Sequence, residues 1–141
     1  MLSQEEIITA SADYLERQPD IAAAYLFGSL VLGTFRPGSD VDVAILYTPD
    51  AGNKFDRFER RLYHEIALEE ILHRPVQVID LEQAPHPLQY QIRKYGRLVV
   101  EKDKKRRVDF EVRSRRMYFD MQRFYRLHKA ALFKRLGVDH G

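Results

Sequence analysis

The chain of 141 residues contains no cysteine. That excludes disulfides, cysteine-ligated zinc and thiol nucleophiles, and leaves only oxygen or histidine ligands for any metal, although it does not by itself identify a compartment. No apolar run approaches 18 residues, and the N-terminal MLSQEEIITA lacks a basic stretch followed by an apolar one. Neither a membrane span nor a secretory signal is supported, so a soluble cytoplasmic protein is expected. There is no Walker-type loop and no G-x-G-x-x-G, which removes support for P-loop ATPase and dinucleotide-binding folds. The five histidines, at 64, 73, 86, 128 and 140, show no paired spacing for a metal and read as structural or surface residues. Internal repeats and low-complexity linkers are also missing, and neither proline nor glycine occurs between residues 104 and 136.

What is present suits one globular domain, since 45% of the residues are hydrophobic and a chain of this length can bury one core but not two. By size alone, no separate substrate domain is expected. The net charge of +2 conceals an asymmetry: residues 1–100 carry 10 Lys and Arg against 15 Asp and Glu, net −5, whereas 101–141 carry 13 against 6, net +7. The basic part suits an anionic partner such as nucleic acid, nucleotide phosphate or an acidic protein face, or equally the solvated face of a long helix.

Ser3 and Glu6 form an S-x-x-E capping signal for a helix over 3–17, ended at Pro19. IAAAYLF and DVDVAILY, 40–47, read as strands. Between Asn53, an N-cap, and Pro75, the residues Phe55, Phe58, Leu62, Ile66 and Leu72 trace an apolar helical stripe over 54–72. PVQVIDL, 75–81, is a third strand, a short helix follows over 87–95, and RLVVE is a fourth strand at a sheet edge. Residues 104–136 form one long helix, or two with a bend, and the charged run 101–107 is a candidate hinge. The expected fold is α/β (α+β), a small mixed sheet flanked by helices. The expected organisation is a body over 1–101 and a basic helical extension over 102–141, either part of the same domain or partner-binding.

Asp40 and Asp42 are two residues apart, so on a strand both carboxylates leave the same face while Val41, Val43 and Ile45 leave the other. Adjacent carboxylates repel, and a divalent cation, Mg²⁺ or Mn²⁺, is the natural counter-charge for oxygen-only ligands. An isolated D-x-D is more often a turn residue followed by a solvated one. Here, however, Gly28-Ser29 directly follows an apolar strand and offers backbone N–H groups and a hydroxyl to phosphate oxygens. A phosphate-binding turn beside a metal-binding strand describes a nucleoside triphosphate site.

The pattern Gly28-Ser29, ten residues, Asp40-Val41-Asp42 resembles the signature of the nucleotidyltransferase superfamily typified by DNA polymerase beta. LFGS, the approach through Gly33, Arg36 and Ser39, and the strand VAIL agree with it. Residues 20–101 are similar to minimal nucleotidyltransferase (MNT) proteins, many of them antitoxins encoded beside HEPN-domain toxins. The resemblance implies the nucleotidyltransferase fold, with MgATP bound by Gly28, Ser29 and Ser39 and metal held by Asp40 and Asp42. It also implies AMP transfer to a hydroxyl on a HEPN ribonuclease toxin, with pyrophosphate released. Other readings are an inactive antitoxin that neutralises by binding, and a transferase for a small acceptor such as an aminoglycoside, acting as a homo-oligomer.

The family's third carboxylate falls at Gln77, whose neutral amide is a poor Mg²⁺ ligand and no base. Asp80 is the substitute candidate, but it lies an odd number of residues from Gln77 and is expected on the opposite face. In the C-terminal helix, Phe110, Tyr118, Phe119, Phe124, Tyr125 and Phe133 suit either a helix packed across its own sheet or, since they occupy more than one face, a helix shared with a partner, which is the expectation. Arg113, Arg115, Arg116, Arg123 and Arg126 between them also suit an RNA surface.

Overall fold

Ser3 and Glu6 close the expected capping box, each side chain meeting the other's backbone N–H, and open helix α1, Gln4–Glu16. The computed structural model describes residues 2–137, so His140 and the end of the basic extension lie outside the described residues. Strand β1, Ile21–Phe27, is followed by the four-residue helix α2, Ser29–Leu32, and by strand β2, Val41–Tyr47. Helix α3, Lys54–Leu72, starts at Asn53, whose side chain accepts from the N–H groups of Phe55 and Asp56. Strand β3, Val76–Asp80, a single-turn helix Leu81–Gln83, helix α4, His86–Tyr95, and strand β4, Arg97–Glu101, complete the body. Helix α5, Lys104–Arg135, is one uninterrupted element.

The sheet order is β3-β2-β1-β4, so β4 is an edge strand as expected and β3 is the other edge. β1 pairs antiparallel with β2 and β4, and β2 pairs parallel with β3, which makes the sheet mixed. Alternation along the strands divides the core in two. Val41, Val43 and Ile45 pack with Val76 and Val78 beneath α1 and α3, through Ile7, Leu15, Leu68 and Leu72. Ala44 and Leu46 pack on the other face with Tyr25, Leu81, Ile92 of α4 and Phe110 of α5.

The apolar stripe of α3 divides: Phe55 at 82%, Phe58 at 52% and Ile66 at 66% are exposed, as is Leu62, whereas its last member Leu72 is buried together with His64 and Leu68. Residues two apart on a helix point about 200° apart, so burying His64 and Leu68 turns Leu62 and Ile66 outward. His64 is held there by polar contacts, its Nε2 2.9 Å from Asp20 Oδ2 and its Nδ1 2.7 Å from the Tyr14 hydroxyl. The run 101–107, the candidate hinge, is laced to the body by ion pairs. Arg106 pairs with Glu82 at 2.6 Å and donates to the Tyr47 carbonyl, and Arg107 bridges Glu101 and Glu111 at 2.5 and 2.6 Å, which fastens the first turns of α5 to the sheet.

Candidate active site

β1 ends at Phe27, and the backbone reverses at Gly28 with φ 74° and ψ −149°. Only glycine adopts that conformation without strain. A second constraint is contact: a Cβ at Gly28 would run into the Asp42 carboxylate, with its Cγ 3.2 Å away. The carbonyl of Gly28 accepts from the N–H groups of Val31 and Leu32, and Gly33, at φ 81°, ends the short α2. Among the described residues no hydrogen-bond partner meets the Ser29 hydroxyl, which leaves it available to a ligand.

Asp42 stands opposite Phe27 on β1 and Gln77 on β3. By parity it shares the sheet face covered by α4 and α5. Burial, and then the charge of Asp40, push the Asp42 carboxyl above its ordinary range. Asp40 is exposed, just before the strand begins. Among the described residues no cation pairs with either acid, and no group of three or more acidic, histidine or cysteine side chains is placed to hold a metal. Two carboxylates without a counter-charge, beside a glycine turn, fit a divalent cation that completes its shell with phosphate oxygens and water.

The other expected residues take different places. The Ser39 hydroxyl accepts from the backbone N–H of Arg36 at 2.9 Å and its own N–H donates to the Arg36 carbonyl at 2.9 Å. It shapes the turn before Asp40 while accepting through its oxygen. Asp80 pairs in register with Ile45, three positions from Asp42, and faces α3. There it forms an ion pair with Arg57 at 3.0 Å and accepts from the Glu82 N–H at 3.1 Å. Burial raises its pKa against the pull of Arg57. The odd offset along the strand keeps Asp80 away from the pair, so it does not supply the third carboxylate. Gln77, exposed and directly opposite Asp42, occupies that position.

One positioning side chain escaped sequence reasoning. Arg74, between α3 and β3, donates to the carbonyls of Ser39 and Pro37 at 3.2 and 3.3 Å and lies 4.5 Å from the Phe35 ring centroid. It braces the segment that delivers Asp40. Its partners are 35 or more residues away, so no local spacing announces it.

No curated protein matches the chain. Solved structures do. A toxin-antitoxin complex with AMP-PNP aligns at 25% identity and TM-score 0.67, covering 94% of this chain and 99% of that one. A Shewanella oneidensis complex of a tri-AMPylated HEPN toxin with MNT antitoxin aligns at 22% identity and TM-score 0.66, covering 93% and 99%. A MntA-HepT toxin-antitoxin structure aligns at 22% identity and TM-score 0.61, covering 92% and 96%. The family model described as Polymerase beta, Nucleotidyltransferase matches residues 10–105, a span holding all four strands, the Gly28-Ser29 turn, Asp40 and Asp42. The chain therefore belongs to the polymerase beta nucleotidyltransferase family.

Proposed function

We propose that the chain is a protein adenylyltransferase of the MNT antitoxin type, which moves AMP from MgATP to a hydroxyl on a HEPN toxin. The observation that carries this reading is the packing of Gly28 against Asp42, with Asp40 beside it and no cation paired to either among the described residues. Gly28 lets a triphosphate approach the backbone, and the Ser29 hydroxyl donates to a phosphate oxygen. Asp40 and Asp42 hold the metal, which when bound offsets the charge of both the carboxylates and the phosphates. The acceptor oxygen bonds to the α-phosphorus, the bond to the β-phosphate oxygen breaks, pyrophosphate leaves and the hydroxyl proton passes to solvent. Gln77, a neutral amide, cannot take that proton, so positioning and charge neutralisation carry the step. The full-length likeness to chains of toxin-antitoxin complexes, one with AMP-PNP and one with an AMPylated toxin, supports this acceptor class.

The neutral, exposed amide of Gln77 opposite Asp42 favours one competing reading, an antitoxin that works by binding alone. Incubation with the HEPN toxin and MgATP, followed by intact-mass spectrometry, separates the two. Toxin mass rising in steps of one AMP, abolished by Asp40→Ala and by Asp42→Ala, is the expected result. Neutralisation that survives both substitutions without any mass gain overturns the transferase reading.

A further inference from the structure

A hollow of about 310 Å³ lies at the free edge of β3, between the first half of α3 and the start of α4. Its charged lining is Lys54, Arg57, Arg61 and Asp80, and Phe58 and Leu88 contribute apolar surface. Asp80 is 3.0 Å from Arg57, which accounts for one cation. Lys54 meets no hydrogen-bond or ionic partner among the described residues, and Arg61 lies 4.9 Å from the Phe58 ring centroid with its buried Nε unpartnered. The nearby Glu82 is taken by Arg106 and Arg113. The hollow thus holds three cations against one acid. A buried, unpartnered N–H on a guanidinium is costly unless an acceptor arrives.

The apolar surface does not stop at the rim. Phe55, Phe58, Leu62 and Ile66 continue along α3 as an exposed stripe, more than a small ligand would cover. Net positive charge in a recess beside an extended apolar strip is complementary to a peptide with an acidic side chain next to aliphatic or aromatic ones. We infer that this edge is a docking site for an acidic, apolar segment of a partner protein.

Its position gives it a use, and that use rests on the transferase reading above. Ile79, which lines the hollow, follows Gln77 by two residues on β3, and Gln77 is opposite Asp42. Ile79 therefore stands about 7 Å along β3 from the position opposite Asp42, on the same face of the sheet as Asp42, while Asp80 and the α3 cations line the side of the hollow that faces α3. A segment seated there presents a hydroxyl a few residues away to the nucleotide, so the acid acts as a recognition mark for the acceptor segment.

The test is selection of random displayed decapeptides on the full chain, followed by affinity measurement with the enriched sequences. Peptides with Asp or Glu adjacent to an apolar residue are expected, and they weaken at least tenfold when that acid becomes amide or when the bait carries Lys54→Gln with Arg61→Gln. The same peptides bind an Asp40→Asn, Asp42→Asn bait unchanged. Docking and chemistry can therefore fail separately: loss of transfer with peptide binding intact removes the transferase reading alone. Absence of acid enrichment overturns the docking proposal, as does full affinity for the Lys54, Arg61 variant. Phenylacetate matching the peptides in affinity overturns it in favour of a small-anion pocket. Replacing the peptide's acid tests the charge contact even if the protein variant folds poorly.

Discussion

Gly28 and Asp42 are a matched pair, because the carboxylate fills the space a side chain at residue 28 would need. Gly28→Ala therefore combines a backbone penalty of about 1–3 kcal/mol, for a conformation essentially confined to glycine, with displacement of Asp42. It is expected to lower stability by at least that amount in chemical denaturation and to remove nucleotide binding by calorimetry. Gly38→Ala, with nothing within 4 Å and no left-handed backbone, is expected to change neither by much. Asp42 behaves differently. Its folded pKa is raised by burial and by Asp40, so the folded state favours the protonated acid. That contribution to stability is present below the ordinary carboxylate range and is lost as pH rises through the raised value. At neutral pH and without metal, Asp42→Asn should accordingly raise the melting temperature while abolishing transfer. Mg²⁺ with ATP should stabilise the parent chain and leave the variant unmoved.

Helix α5 does two jobs along its length. Phe110 and Ser114 are buried against the body, and Tyr118 stacks on Tyr90 of α4 at 4.3 Å between centroids. Beyond that point Phe119, Phe124, Tyr125, Leu127 and Leu132 are exposed. Removing residues 119–141 is therefore expected to shift the melting temperature by only about 2–4 °C while abolishing capture of a HEPN toxin in a pull-down. Phe110→Ala, by contrast, opens the core between α5 and the sheet and should cost ~3–5 kcal/mol in urea denaturation. Boundaries of these elements were largely legible in the sequence. The capping box, the proline and glycine stops and the alternating strands are local features, and each lies within a residue or two of its expected place. The orientation of α3 was not legible, since most of its apolar stripe faces solvent and a histidine takes a core position. That choice depends on Asp20 and Tyr14, which lie 44 and 50 residues away from His64.

The same network ties α1, the start of β1 and α3 into one cooperative unit. Burial pushes the Asp20 carboxyl up, but the hydrogen bond and charge of His64, with Arg60 at 3.6 Å, outweigh it and hold its pKa below the ordinary value. The stability this confers is fully present above the ordinary carboxylate range and is lost as pH falls through the depressed folded value. Asp20→Asn should cost about 1–3 kcal/mol at pH 7, with a difference from the parent that shrinks on acidification, as urea denaturation across pH 2–7 would show. The sequence by itself determined the order of elements, the family signature at Gly28, Ser29, Asp40 and Asp42, and the neutral residue at the third-acid position, because spacing along one strand or helix sets where a side chain leaves its own element. Tertiary structure alone decided which helix face is covered, that Asp80 belongs to Arg57 and α3, that Arg74 braces the approach to Asp40, and that Lys54 and Arg61 meet at the β3 edge. Each of those depends on partners distant in sequence, whose approach is set by how the helices pack on the sheet.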